Sequence, residues 1–415
     1  MPDSLVLVGG SVVVGDGTPP LQDAVVVADE RGVISYVGRE PPAEVTRTAR
    51  RIDVSGCTLL PGFFDCHIHF HLDGLWGMQR RADEYPPLHV FETAQRMRAT
   101  LDAGVTSARD LGGTGAGFRV AQERGLLAGP RLQVAVRLLS HTGGHADMTC
   151  RSGIDLVRLA GEGHEICDTP DEARVSVRRV LRDGADVIKI CATGGITTLA
   201  DQPDDEGLSD AEIAAVVDES QRHRCPPVAA HAQGAAGIRN AIRAGVTSVE
   251  HGYLIDEEGI DLALERGTFL VPTLSAFGAL DRAGSMSAES RAVAERLEDR
   301  TKARIAAAIE RGVAIAVGTD APAGRFGGNL DELRRLVELG MSPMDAIVAG
   351  TSASARLCGV DDKLGALEQG KYADIAVCAG DPLSDISLLS DPDNVRVVIQ
   401  GGVVVKGTPA GGASR

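Results

Sequence analysis

Residues 59–69, LLPGFFDCHIH, form an apolar run that ends in two histidines, His67 and His69. Side chains alternate between the two faces of a strand, so these two imidazoles would point the same way. Two adjacent imidazoles suit a single divalent metal ion. Such a pair also occurs often by chance, as two polar residues at a strand end. The apolar run before it favours the metal-ligand interpretation.

Further apolar segments follow this run, and helix-like stretches such as FETAQRMRATLDAG and SDAEIAAVVDESQRHR lie between them. This alternation predicts a parallel sheet with short connections. Eight strand–helix units over roughly 300 residues fit a (β/α)8 TIM barrel within an α/β fold. A doubly wound open sheet would alternate in the same way, so alternation alone leaves closure undecided. The other strand candidates are VTSARD, RLQVAVRLL, DVIKICA, PPVAAHA, VTSVEHG, TFLVPTL and AIAVGTD.

The two ends of the chain share a different texture. Short Val-rich runs broken by glycines, such as SLVLVGGSVVVGDG near the start and NVRVVIQGGVVVKG near the end, predict short β-strands. Chain termini often lie close together in folded domains. We therefore expect a small β-sandwich domain made by residues 1–58 and 361–415, with the barrel over residues 59–360.

Composition excludes several classes of protein. Hydrophobic residues make up 43% and charged residues 24%, and the formal net charge is −16. An acidic surface disfavours nucleic acid and anionic membranes as partners, and no run approaches the ~20 apolar residues that span a bilayer. The start lacks a basic signal-peptide region, and the 8 cysteines include no CxxC pair, which predicts reduced thiols in the cytoplasm. The expected partners are a small-molecule substrate and further copies of the chain in a homo-oligomer.

Lys189 lies inside an apolar strand candidate, DVIKICA. Lysine is almost never fully buried without a partner. One explanation is an ion pair inside the barrel with an acid such as Asp186. The other is that CO2 has carboxylated the amine, which gives an anionic group long enough to bridge two metal ions. A desolvated lysine with a lowered pKa is the form that reacts in this way.

Three further candidate ligands close apolar strands. His231 lies in VAAHAQG, His251 in SVEHGY and Asp320 in AIAVGTDAP. A lone histidine there is more often a core residue, and aspartate is a common helix N-cap. In a barrel, however, the strands that carry these residues and Lys189 would all end at the C-terminal rim, where catalytic groups belong. The set of four histidines, one lysine and one aspartate predicts a metal site.

Two other polar features lie at predicted strand ends. A long insertion at about 141–168, with the segment SHTGGHADMTC, follows the third strand and predicts an active-site loop. Within it, His145 could face a substrate carbonyl or hydrogen-bond its own glycines. Arg109 and Asp110 end the second strand, where a structural ion pair is expected.

These motifs resemble the amidohydrolase superfamily, in particular its imidazolonepropionase-related and prolidase-like branch with a carboxylated lysine on the fourth strand. The resemblance covers essentially the whole chain, and the closing GKYADIAV matches the usual return to the small domain. The branch includes peptidases that remove a C-terminal amino acid from dipeptides or acylated amino acids. SHTGGHADM resembles its Gly-Gly-His-Gly-Asp loop, with Ala146 where glycine is usual. Gln233 stands where the branch often has tyrosine, which puts a tyrosine contact to the substrate carbonyl in doubt.

The resemblance implies a dinuclear metal-dependent amide hydrolase. A hydroxide bridging the ions would attack the carbonyl, and Asp320 would act as general base and pass the proton to the leaving amine. His145 and Gln233 would contact the substrate, a dipeptide or N-acyl amino acid. Zinc is the expected metal, with manganese, cobalt and iron left open. The implied ligands are His67, His69 and Asp320 for the more buried ion, His231 and His251 for the more exposed ion, and carboxylated Lys189 between them.

Two other functions fit the same barrel. The first is a cyclic amide or imidazolone hydrolase, or a deaminase. Mononuclear deaminases usually lack the bridging lysine, so Lys189 counts against them, and about two ions per chain would favour the amide hydrolase. The second is a non-enzymatic scaffold that has lost its metal. Such relatives normally lose several ligands, whereas all six are present here.

Overall fold

The structure is a computed structural model in which the chain forms two compact units. One unit comprises Met1–Asp65, Arg98–Ser107 and Gly327–Arg415, and the other comprises Cys66–Met97 and Ala108–Phe326. Among the described residues, no helix has both the length and the apolar character needed to cross a membrane. The structure describes residues 4–41, 49–72, 80–81, 83–159, 164–196, 201–224, 226–281 and 288–407.

Strands and helices alternate through the middle of the chain. The strands are β1 (Leu5–Val12), β2 (Leu21–Ala28), β3 (Ile34–Gly38), β4 (Arg50–Asp53), β5 (Cys57–Pro61), β6 (Phe63–Ile68), β7 (Val105–Asp110), β8 (Arg131–Val134), β9 (Leu138–Ser140), β10 (Glu165–Ile166), β11 (Ile188–Cys191), β12 (Val228–Ala232), β13 (Ser248–His251), β14 (Phe269–Val271), β15 (Ile375–Ala379), β16 (Val395–Gln400) and β17 (Val403–Lys406). The α-helices are α1 (Pro86–Asp102), α2 (Ala116–Glu123), α3 (Leu156–Leu159), α4 (Pro170–Arg182), α5 (Asp210–Arg222), α6 (Ala235–Ala244), α7 (Glu257–Arg266), α8 (Ala288–Glu310), α9 (Asp331–Glu338), α10 (Pro343–Val348) and α11 (Ser354–Leu357).

Strands from both ends of the chain share one sheet of eight strands. Its order is β17-β16-β15-β5-β1-β2-β3, and β4 pairs with β1. The antiparallel β5–β15 pair, in which Leu59 lies opposite Val377, joins the N-terminal strands to the C-terminal ones. The Val-rich runs form strands with consecutive buried residues, such as residues 375–378 of β15. The buried cluster of this unit includes Leu7, Val12, Ile34, Leu59, Ile375 and Ile399.

The middle of the chain contributes two further sheets. One has six strands in the order β10-β9-β11-β12-β13-β14, and the other has three in the order β6-β7-β8. Every pair in the six-stranded sheet is parallel, as the strand–helix alternation predicts. Helices α4, α5, α6 and α7 connect consecutive strands from β10 to β14.

Backbone hydrogen bonds continue beyond these two sheets. The Asp186 amide donates to the Val134 carbonyl, which links the approach to β11 with β8. On the other side, the Leu270 amide of β14 donates to Ala314, and the Cys66 amide of β6 donates to Val317. The segment at 314–317 is thus hydrogen-bonded to β14 on one side and to β6 on the other.

Two predicted strands are less regular than the sequence indicates. The third is split into β8 and β9 around Val136, whose φ of 64° interrupts the extended backbone. The eighth, AIAVGTD, makes only single bridges, Ile315 with Leu270 and Ala321 with Ile68. Gly318 explains part of this irregularity, since a Cβ there would lie 2.7 Å from the Cβ of His67. The chain passes too close to β6 for any larger residue.

Candidate metal centre

The predicted ligands lie at the ends of neighbouring strands. His67 is near the end of β6, and the irregular segment that ends at Asp320 is bonded to it, because the Asp320 amide donates to the His67 carbonyl over 2.7 Å. In the parallel sheet, Cys191 lies opposite His231 and Ala232 lies opposite His251. Parallel strands end at the same edge, which brings together residues that are more than 250 positions apart in the chain.

Donor atoms from three strands converge at this edge. Asp320 Oδ1 lies 3.4 Å from His67 Nε2 and 3.3 Å from His69 Nε2. One ligand atom from each of His67, His251 and Asp320 lies within 4.8 Å of the others. The rings of His231 and His251 are 4.6 Å apart. Imidazole and carboxylate donors at this separation are suited to divalent zinc and similar ions.

Three of the four imidazoles have one ring nitrogen in a hydrogen bond with the protein, and that of His67 lies against a carboxylate at ion-pair distance. His67 Nδ1 lies 2.9 Å from Glu250 Oε2, and His69 Nδ1 lies 3.0 Å from the Gly112 carbonyl. An acceptor at one ring nitrogen places the proton there and leaves the lone pair of the other nitrogen for a metal ion. The remaining pairs are His251 Nδ1 with Thr273 Oγ1 at 2.7 Å and His231 Nε2 with the Gly194 carbonyl at 2.9 Å.

The ionisation of most of these side chains suits metal ligands. Burial lowers the pKa of His67, His231 and His251 well below the usual value, which keeps them neutral. Burial opposes the charge of His69 too, but its hydrogen bond with Asp320 raises the pKa on balance. Burial alone would raise the pKa of Asp320, yet the neighbouring histidines lower it, so Asp320 is a carboxylate.

Lys189 is buried in β11, with 1% of its surface exposed. Its Nζ has no hydrogen-bond partner among the described residues, and burial lowers its pKa to about 8. The alternative partner, Asp186, lies instead against Arg119. A buried amine without a partner, beside four histidines and an aspartate, fits a group that is modified or bound to metal ions.

The backbone is strained at this edge. His251, Thr273 and Asp320 have φ angles of 71°, 50° and 54°. Non-glycine residues seldom adopt positive φ, and such strain concentrates at functional sites. Two of the three residues are predicted ligands, and the third holds the His251 ring. The strain therefore turns side chains at the strand ends into positions that regular strands would not reach.

The predicted substrate residues lie beside the ligands. The His145 ring stacks on the His231 ring, with centroids 3.8 Å apart, and its Nδ1 lies 3.8 Å from Asp201 Oδ2. A Cβ at Gly195 would lie 2.2 Å from the His145 ring, so glycine makes room for it. Gln233 is buried, and its Oε1 has no hydrogen-bond partner among the described residues. Part of the 141–168 insertion, 160–163, lies outside the described residues.

Sequence analysis missed Glu250 and assigned Arg109 to another partner. Glu250 is fully buried, and its Oε1 lies 2.8 Å from an Arg109 amino group. Asp110 accepts hydrogen bonds from Thr114 and from the Phe70 amide. The pairing of Arg109 with Asp110 is thus corrected, because side chains of consecutive residues in β7 point to opposite faces. The charged pattern SVEH of β13 was the available signal for Glu250.

Comparisons with known proteins agree with this geometry. Residues 58–405 match the Amidohydrolase family. The chain is 33% identical to the ochratoxinase of Aspergillus niger over 98% of its length and 87% of that protein. It is 25% identical to the imidazolonepropionase of Cupriavidus taiwanensis, over 95% of this chain and 94% of that one.

A solved structure of a Xaa-Pro dipeptidase with methionine bound in its active site superposes with a TM-score of 0.86 and 32% identity. The match covers 97% of this chain and all of that one (100%). These comparisons confirm the resemblance to the imidazolonepropionase-related and prolidase-like branch. With a family match over most of its length and full-length relatives at this identity, the chain belongs to the amidohydrolase family.

Proposed function

We propose that this chain is a dinuclear metal-dependent hydrolase that cleaves the C–N bond of a dipeptide or an N-acyl amino acid. The observation that carries the proposal is the convergence of imidazole and carboxylate donors around a buried lysine amine that has no hydrogen-bond partner among the described residues. If the amine is carboxylated, these groups could together bind two metal ions with the carbamate between them. Neither a packed core nor an ordinary ion pair would leave Lys189 unsatisfied.

Zinc is the proposed metal, because imidazole and carboxylate ligands suit it. When bound, two such ions would supply an activated water molecule near neutral pH and polarise the carbonyl to be attacked. His67, His69 and Asp320 would hold one ion, and His231 and His251 the other. Lys189, as its carbamate, would contact both.

Asp320 is the proposed general base. Its carboxylate is ionised and partly accessible, with 23% of the side chain exposed, whereas His67 beside it is buried. An exposed carboxylate at the edge of a ligand set can take a proton from water and deliver it to the leaving amine. His145, which stacks on the His231 ring, and Gln233 would contact the substrate.

The proposed substrate class follows from relatives. A dipeptidase that binds methionine in its active site matches this chain over nearly its whole length, and a curated relative is named as an ochratoxinase. His145, in the insertion at 141–168, stacks on His231, which places part of this loop beside the candidate ligands. The alternative is hydrolysis of a cyclic amide or imidazolone, or a deamination. The similarity to an imidazolonepropionase favours this alternative.

The architecture that accompanies this function is also proposed. The hydrogen bonds on both sides of the 314–317 segment support a closed eight-stranded barrel over 59–360. Residues 1–58 and 361–415 would form the accompanying β-sandwich domain. Location in the cytoplasm and assembly into a homo-oligomer stay predictions.

The test is a hydrolysis screen with protein reconstituted with Zn2+ and bicarbonate. Dipeptides and N-acyl amino acids are expected to release a free amino acid, measured by mass spectrometry, and cyclic amides, imidazolones and aminated rings form the second arm. Turnover in the first arm that disappears on chelation would support the proposal. Turnover of only the cyclic amides, imidazolones or aminated rings would contradict the proposed substrate class but would still support the metal site. Protein that binds no metal would overturn both.

A further inference from the structure

A second group of possible metal ligands lies at the start of α1, and it shares no residue with the candidate metal centre. His89 and Glu92 are three positions apart on this helix, and Glu84 lies just before the helix begins. One ligand atom from each of the three side chains lies within 4.8 Å of the others. An ion bound here would therefore be additional to the ions proposed at the strand ends.

The His89 ring is buried and faces two carboxylates. Its side chain is 5% exposed, and neither ring nitrogen has a hydrogen-bond partner among the described residues. Nδ1 lies 3.8 Å from Glu84 Oε2 and 3.8 Å from Glu92 Oε2, which is too long for a hydrogen bond. Buried polar groups are normally paired, because an unpaired one costs free energy. The position of this ring therefore points to a ligand.

The distances suit a metal ion between the three side chains. Two ligand atoms that each lie about 2.1 Å from a tetrahedral ion are about 3.4 Å apart, so shifts of a few tenths of an ångström would bring the donors to bonding distance. His89 and Glu92 can share an ion because residues three apart are neighbours on a helix surface. One imidazole and two carboxylates are donors that zinc accepts, and three protein ligands leave a position for water.

Arginine side chains balance the two carboxylates in the structure. Arg80 Nη1 lies 3.1 Å from Glu84, and its Nη2 lies 2.9 Å from Glu92. Arg96 is more distant, with Nη2 3.9 Å from Glu92. The Arg80 side chain is 42% exposed, and exposed ion pairs contribute little to stability. A divalent ion can therefore replace the Arg80 guanidinium, which turns into solvent, and neutralise both carboxylates.

We propose that Glu84, His89 and Glu92 bind a further divalent metal ion of the zinc type, in exchange with Arg80. The ion would join the segment before α1 to the first turns of the helix. The proposal does not depend on the proposed hydrolase function, because none of its three ligands takes part in that reaction.

The position of this site links it to the segment that follows the first two candidate ligands. Thr93, one turn after His89, donates its hydroxyl to the His89 carbonyl over 2.8 Å. The same hydroxyl oxygen lies 2.7 Å from His71 Nδ1. An ion bound to His89 would therefore stabilise the part of α1 that contacts residue 71.

The experiment counts bound Zn2+ per chain by mass spectrometry over a buffered range of free Zn2+, with bicarbonate present. The wild type should bind one ion more than His89→Gln. The counts should be three and two where the proposed function holds, and one and none where it fails, so the two failures are distinguishable. Anomalous diffraction from crystals soaked in Zn2+ should place the ion between the three side chains.

Two variants guard against misfolding and competition. Glu84→Gln keeps the size of a partly exposed side chain and should lose the same ion, and it replaces His89→Gln if the metal-free Tm of that variant falls. Arg80→Ala removes the competing cation and should tighten binding of this ion roughly 2- to 5-fold, the effect of losing an exposed ion pair.

His223→Gln is the matched control. The His223 ring also lies beside a carboxylate, with Nε2 2.9 Å from Glu219 Oε1, but it is half-exposed and already hydrogen-bonded. This variant should bind as many ions as the wild type.

Three results would overturn the proposal. The first is an equal count for the wild type and both ligand variants, His89→Gln and Glu84→Gln. The second is binding that appears only in Arg80→Ala, which would show that Arg80 keeps the carboxylates occupied in the natural chain. The third is anomalous density for zinc at the strand ends alone, which would leave the proposed function standing without this site.

Discussion

Single side chains at this site owe their chemistry to burial. Lys189 would be a protonated, solvated cation on the surface, but in β11 burial lowers its pKa to about 8. A substantial fraction of the amine is then neutral near physiological pH, and the neutral amine is the form that reacts with CO2. The hydrophobic strand thus turns an ordinary lysine into a candidate for modification.

Replacing Lys189 should test the bridging role. Lys189→Ala removes the amine, so the proposed carbamate could not form and the two proposed ions would lose both their common ligand and a negative charge that balances theirs. We expect bound Zn2+ and hydrolytic turnover to fall together, and a short carboxylic acid such as propionate to restore part of both. Metal content and turnover are measured on the same samples.

The control for this variant is Lys302→Ala, since Lys302 is half-exposed and pairs with Glu298 on the outside of α8. It should change neither measurement. Full metal content in active Lys189→Ala protein would exclude a bridging carbamate.

Replacing Asp320 should separate catalysis from folding. Asp320→Asn keeps the shape of the side chain but removes its basicity, and general-base groups are typically worth about 10²–10⁴ in rate. We expect turnover to fall by roughly a hundredfold or more, with near-UV circular dichroism unchanged. Because Asp320 is also a proposed ligand, rates are compared per bound ion. If Asp320→Asn protein turned over as fast as the wild type at equal metal content, Asp320 would have no part in proton transfer.

At the scale of elements, charged pairs tie neighbouring helices together. Arg178 of α4 contacts both carboxylate oxygens of Glu219 in α5, at 2.7 and 3.2 Å. Glu219 is buried although Arg178 is half-exposed. The hydrogen bond with Arg178 lowers the pKa of Glu219 to about 2. This pair should make the packing of the two helices sensitive to acid.

The predicted pH dependence follows from the lowered pKa. Unfolded Glu219 binds a proton near pH 4.5 and the folded form only near pH 2, so the unfolded chain takes up more protons as pH falls. The contribution of Glu219 to the free energy of unfolding is therefore complete above about pH 5 and is lost towards pH 2. Urea unfolding should show wild type exceeding Glu219→Gln by about 1 kcal/mol at pH 7, a modest value because the arginine is half-exposed. This difference should shrink steadily below pH 5. A difference that stays constant with pH would rule out the linkage.

At the scale of the whole molecule, every candidate ligand belongs to one compact unit. All six lie within Cys66–Met97 and Ala108–Phe326. Bound ions would therefore hold together strand ends that present mostly neutral histidines and, among the described residues, a lysine amine without a hydrogen-bond partner. Binding to the folded state alone raises the free energy of unfolding.

Removal of metal should lower the stability of the protein. At free Zn2+ of 100 times Kd, one site adds about 2.7 kcal/mol, so chelation should reduce Tm and re-addition of Zn2+ with bicarbonate should restore it. Hydrogen exchange of β12 and β13 should speed up in the chelated protein, because both strands end in ligands. Identical Tm and exchange with and without chelator would contradict a metal centre in this unit.

The sequence by itself determined the candidate ligand positions and the alternation of elements. His67, Lys189, His231, His251 and Asp320 each end or lie within an apolar run, and such local patterns are set by residues a few positions apart. The convergence of these side chains could be predicted because parallel strands must end at one edge. The terminal strands could also be predicted from the sequence, because their short Val-rich runs are local patterns too.

The tertiary structure decided the contacts between distant residues. Glu250 is a single acid in β13, and only the fold places it between Arg109 and His67, which are 141 and 183 positions away. The irregular course of the eighth strand also depends on a neighbour, since Gly318 passes against His67. Local sequence sets which face a side chain takes, but its partner on another strand depends on long-range strand register, which no short stretch of sequence contains.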